Sequence, residues 1–140
     1  MLTNWRGATE DIKMTEPFKK VMVIGAGGMG ALFGAILAEG GFDVVLVDND
    51  REHVDAIQKD GLHISGLGGE RCHRISAEYE ASAVSEADLV LFQCKGTASA
   101  DAAQAMAHFA GTGTIFISFQ NGLGNEDILA AHFGAENVFG

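Results

Sequence analysis

Short apolar runs recur at regular intervals along this chain. Few polar residues interrupt them, which is typical of strands that are buried on both faces of a sheet. The first of these runs ends in a cluster of glycines, and the others end in polar residues. The runs lie at 20–25, 43–48, 88–94 and 114–119, and a further strand begins at 138.

Segments with helical spacing of apolar residues separate these runs. The spacing predicts helices over 28–39, over 51–60 with Asp50 as the N-cap, and over 98–110. A fourth helix follows the last long run, and we expect Asn125 to be its N-cap. Alternating buried strands and helices are typical of a doubly wound α/β fold, in which right-handed crossovers build a mostly parallel sheet.

A hairpin interrupts this alternation, and a polar segment precedes the first apolar run. Residues 62–65 and 72–76 flank a glycine-rich turn at 66–69, which predicts a small β-hairpin insertion. Residues 1–19 lack an apolar core, so we expect a flexible leader and no signal peptide. Residues 20–140 then form a single domain.

Composition and charge narrow the class of protein. The chain has 140 residues, of which 47% are hydrophobic, and this is enough to bury a core. A net charge of −10 without a basic stripe argues against nucleic-acid binding. Two cysteines are too few for a disulfide framework, so we expect a cytoplasmic location. The 18 uncharged residues at 21–38 contain five glycines, which argues against a membrane span.

The turn between the first strand and the first helix carries a dinucleotide-binding pattern, G-x-G-x-x-G. Its first glycine permits a tight turn, its second lets the backbone approach a pyrophosphate, and its third lets the helix pack closely. The helix N-terminus then offers N–H groups to the anion. Asp48 follows the second strand and supplies the acid that completes the pattern of a Rossmann-type domain. The predicted loop consists of Gly25, Ala26, Gly27, Gly28, Met29 and Gly30.

Asp48 also bears on the choice of dinucleotide. Its carboxylate can accept hydrogen bonds from the ribose hydroxyls of NAD, but it would repel the 2′-phosphate of NADP. At a separation of ~4 Å this repulsion costs ~1 to ~4 kcal/mol. Arg51 could swing over to pair the phosphate, although an exposed position in the first turn of the helix is the simpler interpretation. The sequence therefore favours NAD, with NADP as the alternative.

Two further strand ends carry polar side chains where ligands bind in such sheets. Lys95 follows the run at 88–94, and Asn121 follows the run at 114–119. By spacing alone, Lys95 is equally well explained as a solvated charge, and Asn121 as a turn residue before glycine. Cys94 is predicted to be a small core residue and not a nucleophile. The five histidines show no usable metal-ligand spacing, so we expect no metal site.

Taken together, GAGGMG, QCKGT at 93–97 and SFQNGLGNEDIL at 118–129 resemble the N-terminal domain of the ketopantoate reductases, or 2-dehydropantoate 2-reductases. The resemblance covers about residues 20–140. It implies an oxidoreductase of pantothenate biosynthesis that transfers a hydride from NAD(P)H to a 2-keto acid. It places the glycine loop on the pyrophosphate, Lys95 on the cofactor, and Asn121 near the nicotinamide ribose and the substrate.

The chain departs from this family in two ways. NADPH-using members resemble one another in having an arginine directly after the second strand, where this chain has Asp48. An NAD-dependent D-2-hydroxyacid dehydrogenase of the same family, such as the D-mandelate branch, therefore stays open. The family also has a helical C-terminal domain with the general-acid lysine, and the 140 residues do not include it. We assign no catalytic acid and expect this part alone to bind a dinucleotide but to be inactive.

Two other functions share the glycine loop. One is a regulatory dinucleotide-sensing module of the potassium-transport type, and the other is a two-domain dehydrogenase of the 3-hydroxyacid or glycerol-3-phosphate type. Neither accounts for Lys95 together with the QNG sequence, so the reductase is favoured. An exposed sheet edge and an open face for a second domain also predict a homo-oligomer.

Overall fold

The computed structural model describes residues 18–66 and 68–140. The predicted leader lies outside the described residues up to residue 17. The strands are β1 (Lys20–Ile24), β2 (Asp43–Val47), β3 (Leu62–Ile64), β4 (Arg71–His73), β5 (Ser76–Glu78), β6 (Leu89–Phe92), β7 (Ile115–Ser118) and β8 (Val138–Phe139). The helices are α1 (Gly28–Glu39), α2 (Arg51–Asp60), α3 (Ser99–Ala105) and α4 (Asn125–Phe133).

Six of the strands form one parallel sheet in the order β5-β2-β1-β6-β7-β8. Numbered along the chain, this is the order 3-2-1-4-5-6 of doubly wound dinucleotide-binding domains. The chain reverses direction across the sheet between β1 and β6, so a crevice opens at their carboxyl ends. The remaining pair, β3 and β4, forms the small antiparallel hairpin. The predicted Rossmann-type fold class is therefore confirmed.

The core lies on both faces of the central strands. Val21, Met22 and Val23 of β1 have 0% exposure, as expected of a strand that is covered on both sides. One apolar cluster packs the sheet against α1 and α2, and a second packs it against α3 and α4. In the second cluster, the rings of Phe116 and Phe133 stack with centroids 3.9 Å apart. This two-sided packing fixes the strand ends that form the crevice.

Two sequence predictions about the extent of the elements are wrong in detail. The expected second arm of the hairpin, 72–76, contains two strands, because β4 ends at His73 and the parallel strand β5 begins at Ser76. This edge strand buries one apolar side chain, Ala77, so its signal in the sequence is short. The expected helix at 98–110 is also shorter. After Ala105 the backbone tightens into a 3₁₀ turn that brings the ring of Phe109 into the core.

The starts of two helices contrast with each other. Asp50 caps α2 as predicted, because its side chain accepts a hydrogen bond from the backbone N–H of His53 at 3.1 Å. The predicted cap of α4 is wrong, since Gly124 occupies the N-cap position with φ +84° and Asn125 is the first helical residue.

No helix within the described residues is long and apolar enough to cross a membrane.

Candidate functional site: a dinucleotide crevice

The glycines of the loop divide into two kinds. A Cβ on Gly25 would lie 2.6 Å from the backbone nitrogen of Cys94, and a Cβ on Gly30 would lie 1.8 Å from the carbonyl oxygen of Gly25. Both glycines are therefore required by the fold itself, and Gly25 also has a φ of +96°. A Cβ on Gly27 or Gly28 would meet nothing within 4 Å. These two face open space, and no side chain caps the N-terminus of α1 within the described residues.

Asp48 holds the glycine loop in place. Its Oδ2 accepts a hydrogen bond from the backbone N–H of Ala26 at 2.7 Å, and its Oδ1 accepts one from Asp50 at 2.9 Å. The Nε2 of His53 donates to the carbonyl oxygen of Ala26 at 2.8 Å, which requires the tautomer with the proton on Nε2. Residue 26 is thus held at both its N–H and its C=O. Each oxygen of Asp48 keeps a further lone pair for a ligand.

A first cleft of about 630 Å³ lies on the Asp48 side of the glycine loop. Asp48, Glu80 and Asp101 line it together with one cation, Lys95. The cleft is therefore acidic. Arg51, the other candidate cation, has its guanidinium carbon 4.8 Å from the ring centroid of Tyr79 and is not among the residues that line the cleft.

A second cleft of about 550 Å³ lies on the far side of the same loop. The open glycines Gly27 and Gly28 border it, as do the exposed Met29 and the buried Gly30. Phe33 and Phe119 form one wall, where their rings stack with centroids 5.2 Å apart. Lys95 and Cys94 line both clefts, so they mark the boundary between them.

The second cleft also collects the two polar residues predicted from the strand ends. Lys95 follows β6 and Asn121 follows β7, and both are exposed residues. Within the described part of the chain, neither side chain has a hydrogen-bond or ion-pair partner. The structure therefore brings Lys95 and Asn121 into the same cleft as the glycine loop, with their polar groups available.

Two amides without a predicted role in the site fix these loops, one between the two strand ends and one within the loop after β7. The Nε2 of Gln120 donates to the carbonyl oxygen of Cys94 at 2.8 Å and to the hydroxyl of Ser99 at 2.7 Å. The Nδ2 of Asn125 donates to the carbonyl oxygens of Asn121 and Gly122 at 3.2 and 3.4 Å. Asn125 therefore stabilises the QNG loop instead of capping α4. Its burial, with 5% exposure, agrees with this role, and nothing in the local sequence indicates that burial.

Cys94 is placed as a packing residue. It follows β6, is half-buried, and its burial raises the pKa of its thiol. A raised pKa keeps the thiol protonated at neutral pH, which is the opposite of what activates a nucleophilic cysteine. Among residues 18–66 and 68–140, no three side chains of His, Cys, Asp or Glu are close enough together to hold a metal ion.

Known proteins are similar to this chain in sequence and in fold. The model of the ketopantoate reductase PanE/ApbA family matches residues 21–140. The 2-dehydropantoate 2-reductase of Halobacterium salinarum is 37% identical over 120 residues, which are 85% of this chain and 39% of that protein. The chain thus spans about two-fifths of the length of the curated relatives it matches.

Two solved structures superpose on the fold. A 2-dehydropantoate 2-reductase from Enterococcus faecalis has a TM-score of 0.78 and 30% identity, over 85% of this chain and 39% of that one. D-mandelate dehydrogenase in a ternary structure with NADH and anilino(oxo)acetate has a TM-score of 0.81 and 29% identity, over 86% of this chain and 40% of that one. The strand order, the glycine loop and the family match lead to one conclusion, that this chain belongs to the ketopantoate reductase PanE/ApbA family.

Proposed function

We propose that this chain is the cofactor-binding part of an oxidoreductase that transfers a hydride from NAD(P)H to a 2-keto acid, with ketopantoate as the first candidate. The observation that carries the proposal is the pair of clefts that meet at the glycine loop, with Lys95 lining both. A dinucleotide has two ends joined by a pyrophosphate, and this arrangement fits it. The relatives named 2-dehydropantoate 2-reductase support the choice of substrate, and a role in pantothenate biosynthesis is part of the same proposal.

Each part of the cofactor has candidate contacts on the chain. The open backbone at Gly27 and Gly28, beside the uncapped N-terminus of α1, suits the pyrophosphate. Asp48 would accept hydrogen bonds from the adenosine ribose, Lys95 would contact the cofactor, and Asn121 would contact the nicotinamide ribose and the substrate. When bound, the cofactor supplies the hydride. The residues of this chain bind and orient it.

The preferred cofactor in this proposal is NAD. Asp48, Glu80 and Asp101 make the first cleft acidic, and a 2′-phosphate would add a negative charge beside them. Arg51 rests against Tyr79 and does not line that cleft. We expect NADH to bind at least about fivefold more tightly than NADPH, which corresponds to ~1 kcal/mol of repulsion. Fluorescence titration with both cofactors measures this ratio, and tighter binding of NADPH would contradict the preference.

A variant that leaves the loop intact sharpens this test. Asp48→Ala would disturb both the charge and the glycine loop, whereas Asp101 lies in the first turn of α3 and lines the cleft from there. Asp101→Asn should raise the affinity for NADPH by only about two- to threefold, because solvent screens an exposed charge. The affinity for NADH, which lacks the 2′-phosphate, should be unchanged. Asp127→Asn is the matched control, because Asp127 lies in the first turn of α4 and outside both clefts.

Turnover requires more than these residues. Hydride addition to a ketone leaves an alkoxide that must be protonated or stabilised, and we assign no general acid within the described residues. In the family that this chain resembles, a lysine of a helical C-terminal domain is expected to act as the general acid. We expect the 140-residue chain to bind NADH but to oxidise it with ketopantoate at less than about a thousandth of the rate of a full-length relative. A comparable rate would contradict this.

A second candidate substrate has its own support. An acid after β2 and the likeness to D-mandelate dehydrogenase with NADH both favour an NAD-dependent D-2-hydroxyacid dehydrogenase. Reduction of an aromatic 2-keto acid faster than ketopantoate by the full-length protein would support it. Membership of the reductase family supports either enzyme over a dinucleotide-sensing module.

The proposal also covers the cellular location and the oligomeric state of the protein. Two free cysteines, Cys72 and Cys94, are compatible with the cytoplasm. Met29, Phe119 and Leu123 are large, apolar and exposed, with Leu123 close to full exposure. Such side chains favour self-association. Sedimentation at high concentration should therefore show a homo-oligomer, and a monomer across the concentration range would contradict it.

A further inference from the structure

Gln93 has a buried side-chain nitrogen without a partner. Its Nε2 makes no hydrogen bond within the described residues, although the atom is shielded from solvent. Folded proteins rarely leave such a donor unpaired, because burial removes its hydrogen bonds to water without replacing them. An unpaired donor of this kind calls for a ligand or for a role outside folding.

The position of Gln93 places this donor at the second cleft. The residue follows β6, and its own backbone N–H donates to the carbonyl oxygen of Ile24 at 2.8 Å. A Cβ on Gly30 would lie 3.4 Å from the Cβ of Gln93, so the side chain leaves the strand on the side of α1. Gln93 lines the second cleft and is not among the residues that line the first.

Two other glutamines of the chain, Gln58 and Gln120, are paired. Gln120 donates to Cys94 and Ser99 a few residues from the same cleft. Gln58 donates from its Nε2 to the carbonyl oxygen of Ala77 at 2.8 Å, on the α2 side of the sheet. The fold therefore provides hydrogen-bond partners for glutamine amides whose role is structural. The unpaired one lies in the wall of the proposed binding site.

We infer that Gln93 is a cofactor-binding residue that donates a hydrogen bond to the carboxamide oxygen of the nicotinamide ring. The inference rests on the proposed dinucleotide function. The second cleft is lined both by an aromatic pair, Phe33 and Phe119, and by Gln93, and this combination suits a flat ring that carries one amide acceptor. Because Nε2 is shielded in the ligand-free protein, the inference requires the terminal side-chain bonds of Gln93 to rotate so that Nε2 reaches the ligand.

The test replaces the amide and keeps the shape, with Gln93→Met. We expect the dissociation constant of NADH to rise about five- to tenfold, because one hydrogen bond to the ring is lost. ADP-ribose, which lacks the nicotinamide ring, should bind as tightly as it does to the wild type. The ligand-free variant should also unfold at a higher temperature than the wild type, because a thioether replaces an unpaired buried amide. Titration and thermal unfolding measure the three quantities.

Gln58→Met is the matched control. It removes an amide that is already paired, so it should lower the unfolding temperature and leave the affinity for NADH unchanged. The inference is overturned if Gln93→Met leaves NADH affinity unchanged, weakens ADP-ribose equally, or lowers the unfolding temperature of the ligand-free protein. If the wild type binds no ADP-ribose, the proposed function fails and the inference fails with it. If the wild type binds it, the inference is judged on Gln93 alone.

Discussion

The two ends of the parallel sheet both carry a cavity with charged walls, yet they differ in how their polar groups are paired. At the amino end, a cavity of about 440 Å³ is bordered by Lys20, Asp88 and Thr114. The carboxylate of Asp88 accepts hydrogen bonds from the backbone N–H groups of Lys19 and Lys20, both at 2.8 Å. Thr114 donates to the carbonyl oxygen of Ala87, and Lys20 forms an ion pair with Glu86.

At the carboxyl end, Asp48 makes the same kind of contacts as Asp88, since it accepts two backbone N–H groups. The surrounding side chains differ. Within the described residues, Lys95, Asn121 and the Nε2 of Gln93 have no partner there. Neither cavity volume nor an aspartate with two backbone donors therefore identifies a binding site. The proposed binding site is distinguished instead by unused hydrogen-bonding capacity beside an open backbone.

The largest expected effect separates the glycines that the fold needs from those that the ligand needs. Gly30→Ala places a methyl group 1.8 Å from the carbonyl oxygen of Gly25, which is backbone and cannot rotate away. We expect a loss of about 3 kcal/mol or more in the free energy of unfolding, because overpacking here must move a strand or a helix. Denaturant unfolding followed by circular dichroism measures this loss.

Gly27→Ala is the matched variant in the same loop. Gly27 has a φ of −66°, which any residue adopts, and a Cβ there would meet no atom within 4 Å. We expect unchanged stability and NADH affinity at least about tenfold weaker, because the methyl group blocks the approach of the pyrophosphate. Equal stability of the two variants would remove the distinction between fold-required and ligand-required glycines.

The second prediction compares the two aspartates. Asparagine at position 48 keeps one acceptor oxygen and turns an amide N–H₂ towards the other backbone N–H, because the two oxygens of Asp48 accept one bond each. At position 88 a single oxygen, Oδ2, accepts both bonds, so asparagine there can keep both acceptor contacts and removes the negative charge. Asp48→Asn should therefore loosen the loop at Ala26 and weaken NADH binding about tenfold, which corresponds to a loss of about 1 to 2 kcal/mol. Asp88→Asn should lower the unfolding temperature and leave NADH affinity unchanged, since it lies at the opposite end of the sheet. Weaker NADH binding in Asp88→Asn would show that the two ends are coupled.

Much of the fold was predictable from sequence because its first half has strong local signals. The helix bounds of α1 and α2 agree with the prediction, since glycines end both helices and Asp50 caps the second. The pairing of β5 with β2 depends on neighbours distant in sequence, and its one buried residue, Ala77, gives little signal. The break in α3 after Ala105 likewise follows from packing against the sheet.

The candidate site divides in the same way. The glycine loop, Asp48, Lys95 and Asn121 stand out in sequence because each follows a strand in a doubly wound fold. Contacts between these segments do not stand out. The bond from Ala26 to Asp48 spans 22 residues, and the bond from Gln120 to Cys94 spans 26. Sequence periodicity describes one element at a time, so the amides that join the loops emerge only from the fold.

The smallest expected effect concerns the pH dependence of the amino end. Hydrogen bonds from the backbone N–H groups of Lys20 and Lys19 lower the pKa of Asp88 below its ordinary value. A carboxyl whose pKa is lower in the folded state stabilises the fold above its unfolded pKa of about 3.9. This stabilisation is lost as the pH falls through the lower, folded pKa. Because Asp88 is largely solvent-exposed, the effect is small.

The prediction is a gap in unfolding temperature between the wild type and Asp88→Asn that is present at pH 7 and closes in acid. The gap should be about 1 to 4 °C at neutral pH, and it should narrow once the pH falls below about 4. Protonated Asp88 then resembles asparagine, since both have one carbonyl acceptor and one group that donates. Thermal unfolding of both proteins from pH 7 to pH 2 measures the gap. A gap that stays constant to pH 2 would mean that Asp88 acts through packing and not through its charge, and the two aspartates would then differ in kind as well as in place.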